Sequence, residues 1–497
     1  MMSINREVLY KKIFVLSDWA VVVRTVVASI SGFVFALAAV LFFCLLIFDF
    51  GFKTTGMDAD IIKRTYLLLL FCLFCGKFII EIFSFRSQKW PIILSNFIVL
   101  GVIFLILLIY FELMDISSTW LAAFFDDEQA LIIGSVVIML TEIHHLSDYF
   151  SVMNISASFL FAGSFLLMIL IGSGLLMMPN ATAQPITYLD ALFTATSAVC
   201  VTGLTVVDTF TAFTPLGQGI IMALIQIGGL GIMTFTGFFS YIFLGSVSFK
   251  DQFLLKDFFS GENLSGLYKL LFKILLFTIL LEAAGAALIY HAMEGYWLHK
   301  LQNSIFHAIS AFCNAGFSVY PQGLYTASLR FNYPLQVTIC ALIILGGIGF
   351  PFLLTFYQFI KHSARSLFYY LTGRRISYEL IRLSIGERLA LNTTIVLLII
   401  GTVAYYAFEY GNGPEGAGAV HRIMTAFFAS VSARTAGFNI VDLATWSYPT
   451  VFLIIFLMWV GASPGSTGGG IKTTTLAVAV KAVINFLRGK SDLEIAN

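Results

Sequence analysis

The chain has 497 residues, of which 59% are hydrophobic and only 11% are charged, and its mean hydropathy is +0.93. This composition excludes an ordinary soluble domain, in which about a quarter of the residues are charged. A formal net charge of +1 also argues against nucleic acid as a partner, because that function needs a basic surface. The sequence therefore predicts an all-α polytopic membrane protein whose surroundings are the lipid bilayer.

Apolar runs of about 20 residues, long enough to cross a bilayer as a helix, recur along the chain. The first run follows Lys11, Lys12 and Arg24 and lacks a small-residue cleavage site, which predicts a retained span and a cytoplasmic amino terminus. The loop at 361–388 is rich in Lys and Arg and is predicted to be cytoplasmic as well. The predicted spans are 27–48, 66–84, 91–112, 154–178, 215–245, 266–290, 335–360, 389–408 and 447–460, with a weaker one at 129–143.

Three similar segments place a glycine directly after a short apolar stretch. They read FTATSAVCVTGLTVVD, FHAISAFCNAGFSVY and FFASVSARTAGFNIVD, and their glycines are Gly203, Gly316 and Gly437. Each stretch has roughly 10 to 12 residues, which at about 1.5 Å per residue crosses only half of a hydrocarbon core. A full span precedes and follows each one. The pattern predicts three re-entrant loops, each formed by a half-helix and a glycine.

Non-helical backbone at membrane depth is tolerated only where protein or a water-filled path surrounds it. The carbonyl end of a half-helix favours a cation, and a ring of carbonyls can replace an ion's hydration shell. A single membrane glycine is usually a close-packing position, but three in matching contexts favour the loop interpretation. Asp208 and Asp442 each lie five residues beyond a glycine. They are predicted at an outer mouth that concentrates cations, with a solvated loop position as the alternative.

The span after each loop also carries glycines. IQIGGLGIM contains Gly228, Gly229 and Gly231, and ILGGIGFPF contains Gly346, Gly347 and Gly349, and for both clusters close packing remains as plausible as a functional role. The third copy, GASPGSTGGGIKTTT, should break its helix, since Pro464 removes a backbone donor and glycine disfavours helix. A polar break at this depth predicts a gate, and a membrane-exit turn with a snorkelling lysine is the alternative. The predicted gate comprises Gly461, Pro464, Gly465, Ser466, Thr467, Gly468, Gly469, Gly470 and Lys472.

The phrases TSAVCVTGLTVVDT, IQIGGLGIMT, AFCNAGF, LGGIGFP, SVSARTAGFN and GASPGSTGGGIKTTT resemble the membrane subunits of the Trk, Ktr and HKT potassium transporters. The resemblance implies a pore built from units of membrane helix, pore helix and membrane helix, with a gating loop at Gly461 to Lys472. It also implies a homodimer and a cytoplasmic ring of TrkA/KtrA-like nucleotide-binding subunits that approach the loops 246–265 and 361–388. K⁺ is the implied transported ion, with no organic cofactor. The implied selectivity-filter residues are Val201, Thr202, Gly203, Asn314, Ala315, Gly316, Thr435, Ala436 and Gly437.

The resulting prediction is uptake of potassium, and of sodium as a second ion, across the cytoplasmic (inner) membrane. A cation-coupled secondary transporter with alternating access is the alternative, and an enzyme is not expected because no catalytic constellation occurs. Residues 1–150 are predicted to form an accessory bundle. Pore repeats are predicted at 151–248, 262–362 and 384–490, and a fourth repeat, which a closed ring would need, is predicted to be absent from this chain.

Overall fold

The computed structural model describes residues 41–52, 57–84, 157–231, 264–327, 329–372, 383–411 and 418–489, together with positions 97, 100, 101 and 104. The chain divides into two compact units. One comprises Met1–Asn154 with Tyr241–Ser246, and the other comprises Ile155–Ser240 with Val247–Asn497. The predicted span at 129–143, most of those at 27–48 and 91–112, and the second half of the one at 215–245 lie outside the described residues, as does most of the predicted contact loop at 246–265.

The described residues are helical and contain no β-strand. Helix Leu41–Gly51 precedes α1, and short helical turns occur at Thr209–Ala212, Gly323–Tyr325 and Leu443–Thr445. The main helices are α1 (Met57–Ser84), α2 (Ala157–Leu176), α3 (Tyr188–Val199), α4 (Pro215–Leu230), α5 (Leu264–Ala292), α6 (Trp297–Phe312), α7 (Tyr333–Ile348), α8 (Phe350–Leu371), α9 (Ile385–Phe408), α10 (Ala419–Ser432), α11 (Tyr448–Trp459) and α12 (Thr473–Leu487). The all-α fold class is thereby confirmed.

Local sequence signals explain where several of these helices begin. Helices α4, α7 and α11 each carry a proline in the first turn, where the missing N–H costs no hydrogen bond. Thr187 and Ser384 start α3 and α9 with reciprocal capping boxes, in which an acidic side chain three residues later bonds back to the cap. These signals set the same order three times: a long helix, a short helix, a glycine loop, and a helix that begins with proline.

Each repeat packs as a unit and also contacts the next one. The short helix α3 packs between α2 and α4, α6 packs between α5 and α7, and α10 packs against α9. Between repeats, α4 contacts α6 and α7 contacts α10. Gly229 of α4 permits the first of these approaches, since an added Cβ would lie 2.7 Å from Cys313 Sγ. The helix that follows one glycine loop therefore packs against the short helix of the next repeat.

The predicted span 335–360 is not one straight helix. Helices α7 and α8 meet at an angle of 107°, and Gly349 between them has φ of +94°. A left-handed backbone of this kind favours glycine, and Phe350 N donates to Gly465 O at 2.8 Å. Gly349 and Pro351 in the sequence GGIGFP are signals of a helix break, but the partner that fixes the bend lies more than a hundred residues away.

Two helices are long and apolar enough to cross a membrane by themselves, Phe272–Ala292 and Ile385–Phe408, and the bent pair α7 and α8 together is a third candidate. The remaining apolar helices in the described ranges are shorter. The short helices α3, α6 and α10 have 12, 16 and 14 residues, so two of them exceed the predicted length. All three still end in a glycine loop, as the sequence indicated.

Candidate functional site

The three predicted loops share an unusual backbone. We call them the first, second and third glycine loops, at 201–203, 314–316 and 435–437. Each glycine has φ between +71° and +80°, and the residue two positions earlier is also left-handed, with φ of 55° at Val201, 60° at Asn314 and 82° at Thr435. Non-glycine residues rarely adopt such angles, and strain of this type concentrates at functional sites. The sequence did not reveal it, because a β-branched valine or threonine is among the least expected residues there.

The glycine loops lie side by side. An added Cβ on Gly203 would lie 2.5 Å from Ala315 O, and one on Gly316 would lie 2.3 Å from Ala436 O. The glycine of the first loop thus packs against a carbonyl of the second, and the glycine of the second against a carbonyl of the third. Thr202 and Gly437, at the two outer loops, are exposed, whereas Asn314 and Ala315 are buried. Among the described residues, no further glycine loop lies opposite the second one. The repeat boundaries and the absence of a fourth repeat remain predictions.

Serines in the half-helices fix the loops. Ser310 Oγ donates to Phe317 O at 2.8 Å, and Ser432 Oγ donates to Phe438 O. Their backbone carbonyls also accept from the loops, at 2.7 Å from Ala315 N and 3.0 Å from Gly437 N. The short helix and its loop therefore form one hydrogen-bonded piece, and the carbonyl end of the helix lies at the loop.

A cavity of about 560 Å³ opens on one side of the loops. Gly203, Gly316 and Gly437 line it, and so do Asp208 and Asp442. Both aspartates are exposed, and each also accepts a backbone N–H of the following short turn. We call this space the mouth cavity. The two carboxylates lie where the sequence placed them relative to the glycines, although each also has the structural role of a cap.

The segment Gly461–Lys472, which we call the Pro-Gly loop, packs against the glycine loops. It separates α11 from α12, and hydrogen bonds close its base: Ala462 N donates to Gly469 O at 3.1 Å and Ile471 N to Trp459 O at 3.2 Å. Gly461 and Gly470 touch, since an added Cβ on Gly461 would lie 2.7 Å from the Gly470 Cα. The predicted break in the third span is present, and its five glycines permit this tight closure.

The Pro-Gly loop contacts the second and third glycine loops. Asn314 Nδ2 donates to Thr467 Oγ1 at 3.0 Å, and an added Cβ on Gly468 would lie 2.5 Å from Thr435 Oγ1. Ser466 and Thr467 are buried, and Lys472 Nζ donates to Gly468 O at 2.7 Å. The lysine thus binds the loop itself. A loop that leaves the membrane and carries a snorkelling lysine would not show these contacts.

The glycine cluster after the second loop forms the seat of the Pro-Gly loop. Ser463 N donates to Gly347 O at 2.9 Å, and an added Cβ on Gly349 would lie 2.6 Å from Pro464 O. At Gly346 an added Cβ would lie 1.9 Å from Phe312 O. Close backbone packing, one of the two interpretations of this cluster, is therefore what its geometry shows, and the packing partner includes the Pro-Gly loop.

Two buried oxygens beside the Pro-Gly loop have no hydrogen-bond partner in the described part of the chain. They are Asn314 Oδ1 and Thr435 Oγ1, each at the start of a glycine loop. A buried acceptor without a donor is costly, and a cation is one partner that would satisfy it. These two side-chain oxygens are therefore available to accept a donor or to coordinate a cation.

Two buried charged side chains escaped the sequence analysis. Arg434, directly before the third glycine loop, is 7% exposed and lies 3.4 Å from Gly461 O and from Thr394 O, so it joins the loop to the Pro-Gly loop and to α9. Glu282 of α5 is 6% exposed and accepts from Cys313 Sγ at 3.8 Å, and the Gln226 side chain hydrogen-bonds it too. The available signal was a charged residue within an apolar part of the sequence, because intramembrane ionisable residues mark functional positions.

Known proteins are similar to the part of the chain that contains the glycine loops and the Pro-Gly loop. The sequence model of the TrkH family, described as cation transport proteins, matches residues 129–496. The Ktr system potassium uptake protein B of Bacillus subtilis is 38% identical over 336 residues, covering 67% of this chain and 71% of that protein. The potassium/sodium uptake protein NtpJ of Enterococcus hirae is 35% identical over 342 residues, with the same two coverages of 67% and 71%.

A solved structure also matches. The potassium transporter TrkH from Vibrio parahaemolyticus aligns with a TM-score of 0.50 and 16% sequence identity, covering 86% of this chain and 75% of that one. At that identity the match supports the fold alone. It agrees with the polytopic helical architecture that the composition predicted.

Proposed function

The chain belongs to the TrkH family of cation transport proteins, and from this premise we propose that it takes up potassium across the cytoplasmic membrane through the three glycine loops. The observation that carries the proposal is the matched left-handed backbone of the loops together with the packing of each loop against the next. Carbonyl oxygens gathered in this way replace the water around a cation. The carbonyl ends of α3, α6 and α10 add partial negative charge at the same place.

The relatives suggest sodium as a second ion. The Enterococcus hirae protein is named for potassium and sodium uptake, whereas the Bacillus subtilis protein is named for potassium alone. Alternating access is the weaker proposal. Each repeat crosses the membrane twice, so successive repeats enter from the same side, unlike the inverted repeats of many secondary transporters.

The Pro-Gly loop supplies the gate in this proposal. It lies against two of the three glycine loops and is held there by Thr467 and Arg434, while Lys472 braces the loop internally. Its other contact is the junction of α7 and α8, and α8 leads into the basic segment at 361–388. A cytoplasmic nucleotide-binding ring that bound this segment would have a short mechanical route to the gate. A homodimer of the membrane subunit belongs to the same proposal.

Growth rescue tests the function. The protein is expressed in a bacterium that lacks its own potassium uptake systems, and growth is followed at low external potassium. We expect growth at potassium concentrations where the empty host fails. Equal growth of the two strains, with the protein present in the membrane, would contradict potassium uptake.

Replacing Thr467 by valine should increase ion flux without changing ion preference. The hydroxyl contacts Asn314 Nδ2 at 3.0 Å, Phe312 O at 3.2 Å and Gly346 O at 3.3 Å, and valine has nearly the same shape. At about 1 kcal/mol for each lost hydrogen bond, the closed loop weakens and flux should rise about fivefold or more. Rubidium uptake per unit of membrane protein measures it. Thr474→Val in α12 is the matched control, and a decrease in flux would contradict the gate.

Neutralising the mouth cavity should have a smaller effect. In Asp208→Asn with Asp442→Asn, the carboxylates that raise the local cation concentration are lost, whereas the asparagines still cap their turns. We expect the potassium concentration for half-maximal uptake to rise about twofold to threefold at low ionic strength. The difference should shrink in high concentrations of a non-transported salt. No change at either ionic strength would leave the aspartates with the capping role alone.

A further inference from the structure

A second cavity, separate from the glycine loops, lies between the second and third repeats. It encloses about 280 Å³ next to the ends of α9 and α10, and four tyrosines border it, so we call it the tyrosine cavity. Tyr325 and Asp442 line both this space and the mouth cavity, which places the tyrosine cavity on the same side of the membrane. Apart from Asp442, which was assigned to the mouth cavity, its lining has no role in the transport proposed above.

One side of the tyrosine cavity presents buried polar atoms without hydrogen-bond partners. His421 is 5% exposed, and in the described part of the chain neither of its ring nitrogens has a hydrogen-bond partner. The same is true of Nε of Arg330, Nε of Arg422 and Oγ1 of Thr425, which is 8% exposed. Buried polar groups are nearly always paired in folded proteins. The two arginine Nε atoms can only donate, and the His421 ring and the Thr425 hydroxyl can each donate as well, so the cluster indicates an absent acceptor; guanidinium groups fit the oxygens of a phosphate.

The other side of the cavity suits a cation. Glu409 and Asp442 are acidic, and Glu409 Oε1 also accepts from Ser447 and Thr450. Tyr405 and Tyr406 supply aromatic rings, whereas the Tyr410 ring already lies under the Arg422 guanidinium. Carboxylates and aromatic faces both attract ammonium groups. The two arginines and the two acids cancel in formal charge, so a ligand that carries a phosphate and an ammonium matches the lining better than a simple anion does.

The surroundings favour a lipid over a soluble ligand. Beside the cavity, Val420 and Ile423 on α10 are 68% and 55% exposed, and Tyr410 is 59% exposed. Apolar side chains of this kind would face acyl chains. Tyrosine and tryptophan, here including Trp446, are enriched at the depth of lipid headgroups.

We propose that the tyrosine cavity binds the phosphoethanolamine-type headgroup of an outer-leaflet phospholipid, with Arg330, Arg422 and His421 at the phosphate and the acids and tyrosines at the ammonium. The assignment to the outer leaflet rests on the membrane orientation in the proposed function. Lipid bound there would brace the outer end of α10, the half-helix that carries the third glycine loop.

Lipid retained by the purified full-length protein tests the proposal. The protein is exchanged into detergent containing equal amounts of phosphatidylethanolamine and phosphatidylglycerol, and the bound lipid is counted by native mass spectrometry. We expect phosphatidylethanolamine to predominate. The double variant Arg330→Gln with Arg422→Gln should retain at least fivefold less of it, whereas Arg488→Gln, an exposed position on another part of the chain, should match the unmodified protein.

Unchanged retention in the double variant would overturn the site, and equal retention of both lipids would overturn the ammonium assignment. Soluble phosphoethanolamine or inorganic phosphate that displaces the lipid at low millimolar concentration would show that the acyl chains contribute nothing, and would overturn a lipid ligand. His421→Gln is a second variant with the same expected loss if the double variant fails to fold. Lipid counts do not depend on ion transport, so failure here and failure of potassium uptake are distinguishable.

Discussion

Replacing Gly316 by serine should remove most of the discrimination between potassium and sodium. Gly316 has φ of +71°, and an added Cβ would lie 2.3 Å from Ala436 O in the neighbouring loop. The serine must therefore displace a backbone carbonyl that belongs to the proposed filter, and the left-handed backbone adds strain of about 1 to 3 kcal/mol. We expect the displaced carbonyl to lower the potassium preference by about tenfold, which corresponds to a loss of about 1.4 kcal/mol in the difference between the two ion-binding free energies.

The measurement is competition of rubidium uptake by potassium and by sodium. Gly437→Ser should have a weaker effect in the same direction, because its added Cβ would meet only the Gly316 Cα, at 3.9 Å, and the φ of +80° is its main constraint. Gly219→Ser in α4 is the matched control, since nothing lies within 4 Å of its added Cβ. Unchanged sodium exclusion in both loop variants would refute the assignment of these loops as the filter.

Shortening the Pro-Gly loop should produce a protein with persistently high flux. The bonded pair Ala462 and Gly469 marks where the base closes, so Ser463 to Gly468 can be replaced by two glycines without opening it. This removes Thr467 and its contact with Asn314, and it removes the seat against Gly347. With the obstruction gone, rubidium uptake should exceed that of the unmodified protein about tenfold, more than in Thr467→Val, because every contact of the tip is lost together.

Ion preference should change little in the shortened variant, since the glycine loops keep their serine anchors. The control is Thr474→Val in α12, which lies outside the Pro-Gly loop. Uptake at or below the level of the unmodified protein, with normal amounts in the membrane, would count against a gating role.

The glycine loops and the helix break could be predicted from the sequence because the constraint on them is local. An apolar stretch that is too short to cross the bilayer must return to the side from which it entered. Pro464 and five glycines must likewise break a helix, wherever the rest of the chain lies. The repeated order of elements follows for the same reason. The capping residues Thr187 and Ser384 are likewise readable from a few neighbours.

The features that escaped depend on distant partners. The bend at Gly349 is set by a hydrogen bond to Gly465, and the orientation of Arg434 is set by carbonyls of α9 and the Pro-Gly loop. The left-handed angle at Val201 runs against the residue's own preference and is imposed by its neighbours. No periodicity in one sequence contains this information. The same holds for the tyrosine cavity, whose walls come from two repeats.

Direct location of the ion tests the central claim of the proposal. Crystals of the protein grown in rubidium can be measured at the rubidium absorption edge, where anomalous scattering identifies the ion independently of water. We predict a peak among the backbone carbonyls of the three glycine loops, between the mouth cavity and the Pro-Gly loop, and its loss when sodium replaces rubidium. Rubidium bound elsewhere in the protein, with no peak at Gly203, Gly316 and Gly437, would contradict a carbonyl-lined path through these loops.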